Sequence, residues 1–351
     1  MVSGAQVIVE SVGFWRSTPV ASRHKLVRVL ALLAIFLLAS IVISLWTGYQ
    51  PITWASLRTD EMTRSIFFRL RLPRMMMAAI IGATLACVGA ALQALFRNPL
   101  AEPLTLGVSG GGALGASLAI AFGWGARVAG MPVVFIAAFA GALASISIVY
   151  RLAKAGSMVV PGSLLLAGIV INLVANAGVL TMQYTVDQTR SLQILRWLVG
   201  ALDVVGFSVI WQMLVFLIPG WVVLLFVSRD LNLLAVDEQS AASLGVNVPR
   251  VERTVYLVSS LLVGVTVAVG GSIGFVGLVV PHIARLLFGQ DTRFALPSSL
   301  LIGASFLMLA DALARSVMGA GELPVGAVTA MLGGPFFLWL MHRQQRFSVL
   351  Q

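Results

Sequence analysis

The chain has 351 residues, of which 59% are hydrophobic and 10% charged, with a mean hydropathy of +0.99 and a formal net charge of +10. A soluble domain carries about 25% charged residues, so a water-soluble fold is excluded. The solvent is instead a bilayer, whose core is roughly 30 Å thick and takes about 20 mostly apolar residues per spanning helix.

Residues 1–25 carry Arg16, Arg23 and Lys25 ahead of an apolar run too long for a cleaved signal, so they are read as a cytoplasmic segment followed by a first span. Ten spans are predicted in chain order, near 26–47, 72–95, 103–122, 131–150, 162–185, 207–228, 254–274, 275–289 (short), 298–318 and 324–341. Runs such as Leu30 to Leu38 do not alternate as barrel strands do. The fold class is therefore an all-α polytopic membrane protein, with about ten transmembrane helices in one domain over 26–341. An even count returns the tail, 342–351, to the cytoplasm, in keeping with Arg343 and Arg346. Arg151, Lys154, Arg229, Arg250, Arg253 and Arg293 fall on the same side. The 34 glycines fit close helix packing in lipid.

One loop breaks the charge pattern. Between the first two spans, on the external side, Arg58, Arg64, Arg69, Arg71 and Arg74 face only Asp60 and Glu61, which points to an acidic partner there.

Gly82-x-Thr84-x-Ala86-x-x-Gly89 recurs as Gly264-x-Thr266-x-Ala268-x-x-Gly271, and the same offset pairs Pro99 with Pro281 and Gly107 with Gly289. Repeat halves near 72–185 and 254–341 follow. The repeated spans are an odd number apart, so the halves point in opposite directions, as in many transporters.

The segment 229–253 is the longest polar stretch after the first loop. Asp237 and Glu238 favour a helix start, Ala241 and Ala242 keep its surface low, and Gly245 can end it. A compact surface helix able to seat in another protein and an ordinary loop both fit. The two lysines, Lys25 and Lys154, stand outside any phosphate-binding loop, so no catalytic residue and no ATP hydrolysis are expected.

Ion coupling would need ionisable groups at mid-membrane, and the candidates are Asp311, His282, Arg285 and Arg315. Asp311 and Arg315 are four apart and neutralise one another. His282, after Pro281 at an expected helix irregularity, is read as a structural hydrogen-bonding group. Met75, Met76 and Met77 point around their helix and are read as packing groups. His24, His282 and His342 lie far apart, so no metal site is expected, and the single Cys87 leaves no intrachain disulfide.

Arg71-Leu72-Pro73-Arg74, then Gly89-x-x-x-Gln93-x-x-x-Arg97-Asn98-Pro99-Leu100-Ala101-x-Pro103-x-x-Leu106-Gly107, strongly resembles the FecCD family. These are permeases of ATP-driven importers for iron-siderophore complexes, haem and cobalamin. The likeness continues through Leu165-Leu166-Ala167-Gly168, Arg196-Trp197-Leu198-x-Gly200, Ala242-x-Leu244-Gly245, Gly274-Phe275-x-Gly277-Leu278-x-x-Pro281-His282-x-x-Arg285 and Glu322-Leu323-Pro324-x-Gly326.

The resemblance implies a homodimer in the bacterial inner membrane with two ATP-binding-cassette subunits below, which carry the ATP and Mg, and a periplasmic binding protein above. No cofactor on this chain itself and no nucleic-acid partner are expected. It implies that Arg71, Arg74 and Arg315 face acidic knobs of the binding protein. It makes Asp237, Glu238, Ala241, Ala242, Leu244 and Gly245 part of the coupling segment, and Asn98 and Leu100 part of a cytoplasmic gate. A second gate falls at Val160-Pro161-Gly162, which departs from the Ser/Thr-containing version of the cobalamin permease. The path is expected along span five, past Gly168, Asn172 and Asn176, although both asparagines fit interhelical hydrogen bonds equally. The expected cargo is a ferric siderophore or haem, with cobalamin as the alternative. An ion-driven secondary transporter is the reading from a different class.

Overall fold

The computed structural model describes residues 23–48, 52–155, 158–159, 161–202, 205–317 and 322–349. Helix α1 runs Arg23–Trp46, and two short helices, α2 (Trp54–Thr59) and α3 (Glu61–Ile66), follow. A π-helical turn, Phe67–Arg71, leads into α4 (Leu72–Leu95). A 3-10 turn, Pro103–Leu106, precedes α5 (Val108–Ala121). The hairpin of β1 (Arg127–Val128) and β2 (Met131–Pro132) leads to α6 (Val133–Ala153), and that of β3 (Lys154–Ala155) and β4 (Met158–Val159) to α7 (Pro161–Thr185).

Then come α8 (Gln188–Val199), α9 (Ser208–Phe226), α10 (Ser228–Val236), α11 (Glu238–Ser243), α12 (Val248–Gly270), α13 (Val276–Phe288), α14 (Thr292–Val317) and α15 (Val325–Val349). Six of the described helical stretches are long and apolar enough to cross a membrane, and four shorter apolar ones accompany them, near Ala31–Trp46, Val108–Ala121, Val276–Phe288 and Val325–Leu340.

The core is built on α4, which is buried on nearly every face from Met77 to Leu95. Its small residues make that possible. A methyl group on Gly82 would sit 2.2 Å from the carbonyl oxygen of Gly303, and one on Gly89 only 1.9 Å from that of Gly277. Glycine is therefore required where α4 meets α14 and α13, since lipid supplies no hydrophobic force between helices and backbone approach must hold them together. The same device joins α5 to α6, where Gly111 and Gly141 face each other's carbonyls. Met75 and Met77 are buried packing groups and Met76 is partly so.

The glycine pair Gly82 and Gly264 lies within helices, as the repeat requires. Thr84 with Thr266 and Ala86 with Ala268 do so too, but the pairings beyond the glycine motif do not hold. Pro99 is in a loop whereas Pro281 is inside α13, and Gly107 opens α5 whereas Gly289 closes α13. The reason is a difference in length: the break after α4 spans 96–107, whereas that after α12 spans 271–275.

The irregularity expected at Pro281 is absent as well, because α13 runs through it. The break comes earlier, where Gly271 and Phe275 take φ values of 69° and 68°. His282 makes no hydrogen bond among the described residues. Its ring packs edge-on against Phe336, with centroids 6.4 Å apart.

Candidate functional site

Two charged clusters mark opposite ends of α4. Its 24 residues span about 36 Å at 1.5 Å per residue. At its first turn, Arg74 Nε donates to Asp311 Oδ1 at 2.9 Å and Arg74 Nη1 to Glu322 Oε2 at 2.5 Å. Arg315 Nε donates to the other oxygen of Asp311 at 2.9 Å. Arg315 also donates to the carbonyls of Thr47, at 2.7 Å, and Ser44, at 2.9 Å, and Arg71 to that of Leu45 at 3.2 Å. These last carbonyls of α1 have no helical partner and carry the negative end of its dipole, so guanidinium groups suit them on both counts.

The structure thus brings Arg71, Arg74 and Arg315 together, but it corrects their expected exposure. Arg71 and Arg315 are buried and Arg74 nearly so, their donors turned into the chain. The pairing of Asp311 with Arg315 is as expected, while the bridging role of Asp311 to Arg74, 237 residues away, is not visible at i,i+4 spacing. The arginines that remain exposed are Arg58, Arg64 and Arg69.

At the other end of α4, Arg97 takes a left-handed φ of 49°. Asn98 follows: its N–H bonds to the carbonyl of Gln93, its side-chain oxygen accepts from Leu100 N at 2.9 Å, and its carbonyl accepts from Ala101 N. Leu100 is exposed. The guanidinium of Arg97 meets Glu238 at 2.5 Å, which joins this loop to α11.

Helix α11 has the expected start and stop. Asp237 accepts from Ser240 N at 2.8 Å as its N-cap, and Gly245, with φ of 89°, ends the turn after it. The bonds from Ser240 hold the Asp237 carboxyl below the usual range. Ala241 is buried while Glu238, Ala242, Leu244 and Gly245 are exposed. With Val236, Leu244 gives this helix an exposed apolar rim.

Along α7 the predicted residues divide. Val160 lies outside the described residues, Pro161 begins the helix, and Gly162 has open space around it. Gly168 is not an open lining residue: a methyl there would lie 2.3 Å from the carbonyl of Thr105. Asn172 is a lock, accepting from Gly110 N at 2.9 Å and donating to Leu104 O at 3.0 Å. Asn176, one turn on, is exposed and makes no side-chain hydrogen bond among the described residues.

Two buried contacts join the halves of the chain. Gln93 of α4 donates to the carbonyl of Gly277 at 3.3 Å and accepts from Arg285. Glu102 is held in the break after α4, where its carboxylate accepts from Phe275 N at 2.6 Å, just ahead of α13. Glu102 went unnoticed in the sequence, where it reads as one acid in a proline-rich loop.

Comparison with known proteins agrees with the motifs. A haem (hemin) transport permease of Yersinia pestis is 39% identical over 83% of this chain and 87% of the relative. A vitamin B12 import permease of Citrobacter koseri is 38% identical over 91% of this chain and 95% of the relative. A solved structure described as a metal-chelate type ABC transporter, in an inward-facing conformation, superposes with a TM-score of 0.80 at 33% identity, covering 90% of this chain and 99% of that one. PsaBC of Streptococcus pneumoniae, in complex with Fab, shares the fold alone, with a TM-score of 0.52 at 15% identity over 81% of this chain and 92% of that one. The profile of the FecCD transport family matches residues 30–343, and the chain belongs to that family of multi-pass ABC transporter permeases.

Proposed function

We propose that this chain is the translocating subunit of an ATP-driven importer that carries an iron complex, haem or a ferric siderophore, from periplasm to cytoplasm. The observation that carries the reading is the division of labour along α4. A basic cluster stands at one end, and an exposed helix, α11, with an apolar rim stands at the other, in a sequence without a phosphate-binding loop. Energy then enters through a separate ATPase subunit seated on Asp237, Glu238, Ala241, Ala242, Leu244 and Gly245.

Ten spans follow if the four shorter apolar helices are counted with the six long ones. An inverted repeat is supported by reciprocal packing: α4 lies against α13 and α14, while α12 lies against α5 and α6. A second copy of the chain covers the exposed apolar face of α7, including Leu166, Leu173 and Tyr184, and the path runs between the copies past Asn176. The gate is the loop with Asn98 and Leu100, and the termini lie in the cytoplasm with Arg151 and Arg253.

The periplasmic binding protein docks on the opposite end. Arg71, Arg74 and Arg315 act there as a field, three guanidinium groups against the carboxylates of Asp311 and Glu322, while Arg58, Arg64 and Arg69 make the direct contacts.

Cobalamin is the second reading, favoured by the extent of the match to the Citrobacter permease. Uptake of ferric haem and of cobalamin, measured separately in liposomes holding this chain, its ATPase subunits and its binding protein, decides between them. Accumulation driven by an ion gradient without ATPase would overturn both.

A further inference from the structure

We propose that Arg97 and Glu238 form a strut that carries movement of α11 to the loop holding Asn98 and Leu100. The inference rests on the permease reading and adds to it the specific contact through which the two sites communicate. Both sites are built to move as units. The loop is braced by three hydrogen bonds around Asn98, from Asn98 N to Gln93 O, Leu100 N to Asn98 Oδ1 and Ala101 N to Asn98 O, so displacing Arg97 displaces the turn after it. Helix α11 is capped by Asp237 and anchored in the bundle through Ala241, its other side chains lying at or near the surface.

Between them runs the Arg97–Glu238 ion pair, the one pair that α11 makes among the described residues. Its geometry is not incidental to the backbone. Arg97 adopts a left-handed φ of 49°, a conformation unfavourable for a residue with a side chain and usually kept where the surroundings demand it. Asp237 and Glu252 of α12 act electrostatically on the same guanidinium, so the arginine stands in an acidic setting contributed by two elements.

Both partners are partly exposed, at 35% and 48%, and a pair of that kind adds little to fold stability. A simple surface ion pair would therefore leave transport unaltered when removed. A strut would uncouple it.

The test uses the full chain in liposomes with its ATPase subunits and binding protein, with ferric haem and cobalamin supplied separately. Arg97→Glu and Glu238→Arg are each expected to lower cargo moved per ATP hydrolysed about fivefold, the most an exposed pair is worth, while subunits stay assembled. The double variant Arg97→Glu/Glu238→Arg restores the ratio, which a general loss of stability would not do. Full coupling in the single variants, or no recovery in an assembled double variant, overturns the strut alone. Wild-type chain that neither binds the ATPase subunit nor moves cargo overturns the permease reading and the strut with it.

Discussion

Gln93 supplies the hydrogen bond that Pro281 removes. In a continuous α13 the N–H of residue 281 would bond to the carbonyl of Gly277, and proline has none. The side-chain amide of Gln93 donates to that carbonyl instead, at 3.3 Å, while its oxygen accepts from Arg285. Two helices from different halves of the chain are thereby locked in register. Gln93→Leu should cost about 1–3 kcal/mol, the penalty for a buried polar group left without a partner. Adding Pro281→Ala returns an N–H to the helix and should recover part of that loss. Denaturant unfolding of the four proteins of the cycle in detergent measures the coupling, and strictly additive effects would remove this account of Gln93.

Asp311 is the second structural keystone. It is fully buried and shared by Arg74 and Arg315, so Asp311→Ala leaves both guanidinium groups without it. Breaking a buried pair on one side costs about 3–5 kcal/mol. The expected outcome is a large fall in thermal stability, with little protein recovered in the membrane fraction. Arg315→Glu should do the same, since it sets a second carboxylate beside Asp311 and strips the end of α1 of two donors. Reversal of Arg58 and Arg69 to Glu should instead leave folding intact and weaken docking of the binding protein, most clearly at low salt. Unchanged docking at low salt would rule out a role for those two side chains.

How far the sequence reached is clear at particular places. The bounds of α4 were legible because a long apolar run is framed by Pro73 and by the polar Arg97-Asn98. Helix α8 was not, because Gln188, Arg190 and Arg196 give it the look of a loop. It folds back on the bundle through Ile194, Trp197 and Leu198, a packing that only its neighbours Ala113 and Val179 explain. Gln93, Pro281 and Arg285 were visible as separate motif residues. Their partnership spans some 190 positions and follows from helix packing, which no local pattern records. The arginines near Arg71 were legible as a charge anomaly. Their burial was not, because it depends on the free carbonyls at the end of α1, a property of the backbone.

The glycine contacts predict a steep contrast between sites. Gly89→Ala places a methyl 1.9 Å from the backbone of Gly277, which no rotamer can relieve, so α4 and α13 must separate. A shift of that kind in a close-packed interior costs about 1–3 kcal/mol or more. Gly162→Ala meets nothing within 4 Å and sits at the start of α7, where alanine improves helix propensity. Thermal unfolding in detergent should show a marked loss for the first and none for the second.

Asn172 and Asn176 stand one turn apart and should separate in the same way, although by function as well as by stability. Asn172→Ala removes the acceptor for Gly110 N and the donor for Leu104 O, at a cost of about 1–3 kcal/mol. Asn176→Ala breaks no side-chain hydrogen bond among the described residues. Its effect should appear in uptake and leave unfolding unaltered. Equal stability of the two variants would mean that the lock at Asn172 is not formed.

The cap of α11 gives a pH dependence whose sign follows from Asp237. Hydrogen bonds from Ser240, first from its backbone and then from its hydroxyl, hold that carboxyl below its ordinary value of 3.8. A carboxyl whose folded value is depressed stabilises the fold when ionised. The contribution is complete above the unfolded value and is lost as pH falls through the folded one. The amino-terminal turn of α11 should thus stay ordered between pH 7 and 5 and fray only well into acid. Asp237→Asn keeps an acceptor for Ser240 N but cannot titrate, so its α11 should show no such transition. Mobility of a spin label placed by Ser243→Cys, followed from pH 7 to pH 3 in both backgrounds, distinguishes the two. A label that loosens equally in both would assign the acid transition to another group, with Glu238 and its contact to Arg97 as the nearest candidate.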